Sequence, residues 1–318
     1  MTANSRAALL GLTAFGVFAA HDVIVKVLGS SYAPAQILFF STLLTFPLFS
    51  VLLVSEAQPK TLRPVHPRWV AVRTATMVIS TLSIFYAFSV LPLAQTYAIL
   101  FCVPLIITLL SVPFLGERVG RHRGGAVIAG LIGVLIVLRP GATELTIGHA
   151  AALLGAFSAG LSSIAVRKIG KDERQAVLLL FPMLGTVVVM GVLLPLNYAP
   201  MTLSDLGLLA LMSVLGFAAL NCLIMAYKTG EAAVVAPMQY SQILWASLYG
   251  YLLFNETLDV ATIVGVMVII ASGIYIIWRE SRANISRNTP VLKARTRMNE
   301  GAWRRAKEEQ HSPFERDE

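Results

Sequence analysis

The chain has 318 residues, 56% of them hydrophobic and 13% charged, with a formal net charge of +8 and a mean hydropathy of +0.73. A water-soluble domain carries roughly 45–50% apolar and about 25% charged residues, so this composition excludes an ordinary soluble enzyme and a disordered chain alike. The basic excess is not a nucleic-acid footprint, because Lys and Arg sit at the ends of apolar runs and in the last 40 residues, which hold 10 Lys/Arg and 7 Asp/Glu.

A helix that crosses a bilayer needs about 20 mostly apolar residues. Ten runs approach or exceed that length: 7–27, 34–54, 69–90, 94–115, 124–139, 147–167, 175–195, 203–227, 232–254 and 260–278. The first has one preceding positive charge and no small-residue cleavage site, so it reads as a retained span rather than a leader. The connections are short and rich in turn formers (GSSYAP, LPLA, RPGATELTIG, NYAPMT), and none is long enough to fold alone. The runs are continuous rather than alternating, which excludes a transmembrane barrel. The expected fold is all-α and integral to the membrane.

Orientation follows from Lys and Arg. With a cytoplasmic N-terminus, the inner segments carry Arg6, then Lys60, Arg63 and Arg68, then Arg118, Arg121 and Arg123. Next come Arg167, Lys168, Lys171 and Arg174, then Lys228, then the basic tail. The outer loops carry only Arg139, with Lys26 at the edge of the first span. Both termini are thus expected inside, in the cell inner (cytoplasmic) membrane. The tail, 279–318, reads as a solvated extension beside anionic headgroups, with a regulatory role as the alternative.

The halves repeat. FSVLPLAQTYAILFCVPLIITLLSVPFLGE, ending at Glu117, matches YKTGEAAVVAPMQYSQILWASLYGYLLFNE, ending at Glu256, over 30 residues at a constant offset of 139. Ala94 falls on Ala233, Phe101 on Tyr240, Thr108 on Ser247 and Glu117 on Glu256. Five spans per copy is an odd number, so the second copy enters the membrane from the opposite side. Inverted repeats of this kind recur in secondary transporters, where each half rocks about a shared central site. The expected domains are 1–140, an inverted counterpart at 141–278, and the tail.

LGERVGRHRGGAVIAGLIGVLIVLRPG after the fourth span, and LFNETLDVATIVGVMVIIASGIYII after the ninth, resemble the drug/metabolite transporter superfamily, EamA-type. The likeness covers residues 7–278. HDVIVKVLGSSYAPAQILFFS is similar to a bacterial branch with S-adenosylmethionine and riboflavin uptake proteins, whose members often read Asp, a Lys four residues on, then Phe-Phe-Arg. Asp22 and Lys26 fit that pattern, while His21 and Ser41 depart from it. The resemblance implies a ten-span transporter of small organic metabolites.

Polar side chains at bilayer depth line a cavity or pair with one another. On the first span, His21, Asp22 and Lys26 form the densest set; Asp22 and Lys26 are four apart, on one helical face, as a substrate patch or as an anchoring ion pair. On the ninth, Gln239, Tyr240, Gln242 and Trp245, with Tyr249, suit a flat or cationic solute, and α-helical spacing puts Gln239, Gln242 and Trp245 on one face. Tyr97 and Phe101, with Thr108, are their counterparts on the fourth span. Tyr86 and Asn221 are candidates to complete the walls. Pro104 and Pro237 interrupt the fourth and ninth spans, and Glu117 and Glu256 are read as ties of the following turns.

Two alternatives stay open: a receptor or scaffold without transport, and an exporter of amino acids or drugs instead of a metabolite importer. An enzyme is not expected. The histidines, His21, His66, His122, His149 and His311, are scattered, and no HExxH, GxSxG or phosphate loop occurs. Cys102 and Cys222 read as small hydrophobes. Neither a cofactor, a metal nor a catalytic residue is expected. The expected partners are a small-molecule solute and the lipid bilayer, with no nucleic acid, and a homodimer is left open.

Overall fold

The computed structural model describes residues 3–54, 62–116, 121–139, 144–170, 172–229, 232–257 and 259–281. Glu117 and residues 282–318 of the tail lie outside them. Among the described residues there are twelve α-helices and no strand: α1 (Ala3–Gly29), α2 (Pro34–Val54), α3 (Pro67–Val90), α4 (Leu93–Leu100), α5 (Val103–Leu115) and α6 (Arg121–Leu138). The remainder are α7 (Ile147–Ile169), α8 (Gln175–Leu193), α9 (Leu203–Thr229), α10 (Ala232–Val235), α11 (Gln242–Phe254) and α12 (Val260–Ser281). This is a multi-pass membrane architecture. Six segments are long and apolar enough to cross a bilayer: Ser5–Gly29, Pro67–Val90, Leu93–Leu115, Ile147–Ile169, Ala176–Leu196 and Leu203–Ala226. Three shorter apolar helices, Pro34–Leu48, Gly124–Leu138 and Val260–Tyr275, accompany them.

Two runs expected as single spans are divided. The fourth breaks at Phe101–Cys102, between α4 and α5. Pro104 explains this locally: it has no N–H for the Leu100 carbonyl, and its ring crowds that carbonyl. The ninth begins as the short α10, tightens into a 3₁₀ stretch, Ala236–Ser241, with proline in its first turn, and resumes as α11. The breaks bring aromatic rings together, Phe101 lying edge-on to Tyr240 at 5.3 Å and 78°.

Both interrupted runs also end alike. Gly116 closes α5 with φ 68°, and Asn255 closes α11 with φ 52°. A left-handed cap turns the chain sharply and satisfies late helix carbonyls: Gly116 N–H donates to Val112 O at 3.1 Å. Glycine adopts that conformation freely, and asparagine is among the few other residues that tolerate it. The change from Gly116-Glu117 to Asn255-Glu256 between the two matching segments therefore preserves the left-handed cap.

Packing follows small residues. α1 lies along α9, α3 along α7, and α6 along α12. At the last crossing a Cβ on Gly133 would stand 2.8 Å from the Gly265 carbonyl oxygen, and one on Gly265 would stand 2.6 Å from the Gly133 oxygen. Only glycine lets the two backbones approach so closely. The largest core cluster joins buried residues of α1, α4, α6, α9, α11 and α12, and the candidate site lies within it.

Candidate functional site

The site begins on α1, where His21 and Asp22 stand about 10 Å, seven residues, below the helix end at Gly29. His21 Nδ1 is 2.7 Å from Asp22 Oδ1, and the Tyr97 hydroxyl of α4 donates to Asp22 Oδ2. Gln242, the first residue of α11, is a side-chain hydrogen-bond partner of the same tyrosine. The Tyr97 hydroxyl thus links three helices, to Asp22 on α1 and to Gln242 on α11. The exposure of Asp22 is 14%, and that of His21 is 18%.

Aromatic rings wall this cluster. Phe88 meets Tyr97 edge-on at 5.2 Å, Tyr97 is tilted against Phe101 at 6.3 Å, and Phe101 reaches Tyr240 across the two breaks. Phe85 lies edge-on to His21 at 6.2 Å. Glycines make the room: His21 lies against Gly216 of α9, the Trp245 indole against Gly16 of α1, and the Tyr240 hydroxyl over Gly273 of α12. Trp245 also stacks on Tyr249 at 6.4 Å and 26°.

Lys26 departs from the expected pairing. It is one turn beyond Asp22, yet Nζ sits 2.8 Å from Glu256 Oε1 and donates to the Leu91 carbonyl at 2.5 Å. The Phe254 ring lies 5.3 Å away. The other Glu256 oxygen accepts from Leu93 N–H at 3.0 Å, at the start of α4 where backbone donors lack helical partners. This latch ties the end of α1, the α3–α4 turn and the end of α11, so Glu256 does more than tie its own turn. Nearby, Arg139 Nη2 is 2.5 Å from Asp259 Oδ2.

The structure therefore brings together His21, Asp22, Tyr97, Phe101, Tyr240 and Gln242, with Trp245 against the same first helix. It does not gather the rest. Tyr86 lines a separate cleft of about 410 Å³ with Gln36, Ser83 and Asn197. Asn221 Nδ2 donates to the Phe217 carbonyl of its own helix at 2.8 Å. Gln239 falls in the 3₁₀ stretch, so the α-helical face that would pair it with Gln242 and Trp245 is not formed. Phe85, Phe88, Gly16 and Gly216 escaped sequence reasoning because apolar residues are abundant in every span. Glu256 carried the one available signal, a charge at a span end. Among the described residues no group of three His, Cys, Asp or Glu is disposed to hold a metal ion.

The profile of the EamA-like transporter family matches residues 5–139 and, a second time, 146–279. An S-adenosylmethionine uptake transporter of Rickettsia bellii is 28% identical over 270 residues, which cover 83% of this chain and 90% of that protein. The pseudopaline exporter CntI of Pseudomonas aeruginosa is 26% identical over 266 residues, 83% of this chain and 93% of the relative. A solved protein crystal structure, 18% identical, superposes with a TM-score of 0.59 over 86% of this chain and 97% of its own. That last likeness concerns the fold alone.

Proposed function

The chain belongs to the EamA-like transporter family, and from that premise we propose that it is a secondary transporter that moves a small organic solute carrying a positive charge. It works by alternating access across the cytoplasmic membrane, with ten spans in two inverted five-helix repeats, 1–140 and 141–278, and both termini inside. α4 with α5, and α10 with α11, each serve as one interrupted span. The end holding Gly29, Leu91 and Glu256 then faces outward.

Several observations support the inverted arrangement. Exchanging the halves turns the α1–α9 contact into the α3–α7 contact. The break at Phe101–Cys102 aligns with the end of the 3₁₀ interruption Ala236–Ser241, and the left-handed caps at Gly116 and Asn255 stand in equivalent positions of the two copies. Discontinuous helices near mid-bilayer recur around transporter binding sites.

The observation that carries the function is the Asp22–Tyr97–Gln242 junction, where a carboxylate, a phenol and an amide from three helices meet among aromatic rings. A carboxylate attracts a cation, aromatic faces add cation–π attraction, and the amide fixes orientation. His21, Asp22, Tyr97, Phe101, Tyr240, Gln242 and Trp245 form the site in this proposal, and Lys26 closes it from outside. The two named relatives are an importer and an exporter, so site chemistry rather than likeness selects the solute class.

Solute counterflow in liposomes tests the proposal. Liposomes containing the protein and loaded with unlabelled S-adenosylmethionine are expected to accumulate labelled S-adenosylmethionine, or a related organic cation, transiently. Counterflow restricted to neutral or anionic solutes would reject the solute class, and none with any solute would reject transport.

A further inference from the structure

Resting on that transport role, we propose that a cavity of about 350 Å³ beside Glu256 docks the organic cation before it reaches Asp22, and that the solute's charge displaces Lys26 from Glu256 and so releases the latch. The cavity falls within the roughly 300–1,000 Å³ of small-molecule sites. α4, α11 and the turn before α12 wall it. Gln95, Ser247 and Thr257 supply an amide and two hydroxyls, and Glu256 and Asp259 supply two carboxylates. The Gln95 amide is held against His149 Nε2 at 3.1 Å. Glycine makes room for the carboxylate that matters, since a Cβ on Gly250 would stand 2.7 Å from Glu256 Oε2. The lining shares no residue with the Asp22–Tyr97–Gln242 junction, so this is a second site.

Charge decides what happens there. Asp259 faces Arg139 and accepts from Thr262 N–H at 2.6 Å, while Glu256 faces Lys26. With each carboxylate matched by a cation, an entering cation has to replace one, because an extra unpaired charge in a partly buried site is costly. Lys26 has a resting place. Its Nζ also donates to the Leu91 carbonyl at 2.5 Å and lies 5.3 Å from the centre of the Phe254 ring, so it leaves Glu256 without being stranded. Glu256 keeps the Leu93 N–H at 3.0 Å and gains the solute. The exchange unties α1 from α11. Lys26 stems from the residue one helical turn, about 6 Å, beyond Asp22, so its release also clears the way to the central carboxylate.

The test uses the full-length chain in lipid nanodiscs, with S-adenosylmethionine as the probe cation. Calorimetry should find two sites per chain. Asp22→Asn should remove the central site and keep the docking site. Glu256→Gln should weaken the docking site tenfold or more and keep the central one. Thr257→Trp, which narrows the cavity and leaves the Lys26 pair in place, should give the same loss without disturbing the latch. Spin labels on cysteines at the exposed Ser31 and Leu252, in a chain whose Cys102 and Cys222 are replaced by alanine, read the release. The probe should lengthen the distance between them even when Asp22→Asn has disabled the central site. A single site in the wild type, full docking affinity in both Glu256→Gln and Thr257→Trp, or an unchanged distance with the docking site filled would overturn the inference. Two sites and release without counterflow of any solute would sink the transport proposal alone. Counterflow with one site, at Asp22, would sink the docking site alone.

Discussion

Glu256→Gln isolates the charge of the Lys26–Glu256 latch while keeping its shape. In the wild type, Lys26 Nζ is 2.8 Å from the carboxylate, with side-chain exposures of 13% for the lysine and 18% for the glutamate. In the variant the ammonium retains the Leu91 carbonyl and the Phe254 ring, and the amide oxygen still accepts from Leu93 N–H. Stranding one partner of a fully buried ion pair costs about 3–5 kcal/mol, and hydrogen bonds to charged groups contribute about 1.5–3 kcal/mol. Because neither group is fully buried and the amide remains an acceptor, the expected loss is about 2 kcal/mol, or about 30-fold in the folding equilibrium. Reversible unfolding in mixed micelles measures it. A double-mutant cycle with Lys26→Met should return a coupling of about 1–2 kcal/mol. A Gln variant within about 0.5 kcal/mol of wild type, or strictly additive substitutions, would refute the latch.

Gln242→Leu should fold normally yet weaken solute affinity roughly tenfold or more, since leaving a buried polar group unpaired costs about 1–3 kcal/mol; titration calorimetry with the transported solute measures this, and unchanged affinity would remove Gln242 from the site. Gly265→Val should cost about 1–3 kcal/mol by forcing α6 from α12, whereas Gly207→Ala, with nothing within 4 Å of the added carbon, should leave the unfolding midpoint unchanged. Cysteines at Ser31, Gly141 or Asn197 should label from outside intact cells and those at Lys60, Arg121 or Lys171 should not; outside labelling at Arg121 overturns the inverted arrangement. Partial burial opposes ionisation of Asp259, but the Thr262 N–H and Arg139 hold its carboxyl below the usual range. Its folded value being depressed, the stabilisation is present at neutral pH and is lost as pH falls through that value. Wild type and Asp259→Asn should therefore differ in thermal midpoint near pH 7 and converge only as pH falls through the depressed folded value, below the ordinary carboxylate range.

Much of the helical layout was legible because a lipid-facing helix must advertise itself as a long apolar run. The cost of polar groups in hydrocarbon also singled out His21, Asp22 and Lys26. What stayed hidden was partnership. Lys26 and Glu256 are 230 residues apart, so helical spacing offered Asp22 as the nearer partner, and the fold overrode it. Tyr97 was legible as polar but not as the donor to Asp22, because that contact joins residues 75 apart in sequence and depends on the tertiary fold. Grouping Gln239 with Gln242 assumed 3.6 residues per turn, and the 3₁₀ stretch after α10 has about 3.0. Prolines signalled that the fourth and ninth spans were interrupted, without revealing that the breaks face one another.

The meeting of Phe101 with Tyr240 has a hydraulic consequence. A file of water through a protein needs polar partners, two to four for each molecule. At this crossing the chain offers rings instead, with Phe101 3%, Cys102 2%, Ile99 0% and Leu105 1% exposed. Such a seam is dry, and a dry seam does not conduct protons by hopping from water to water. In the transport arrangement proposed above, an ion leak at this contact would therefore require the rings to part.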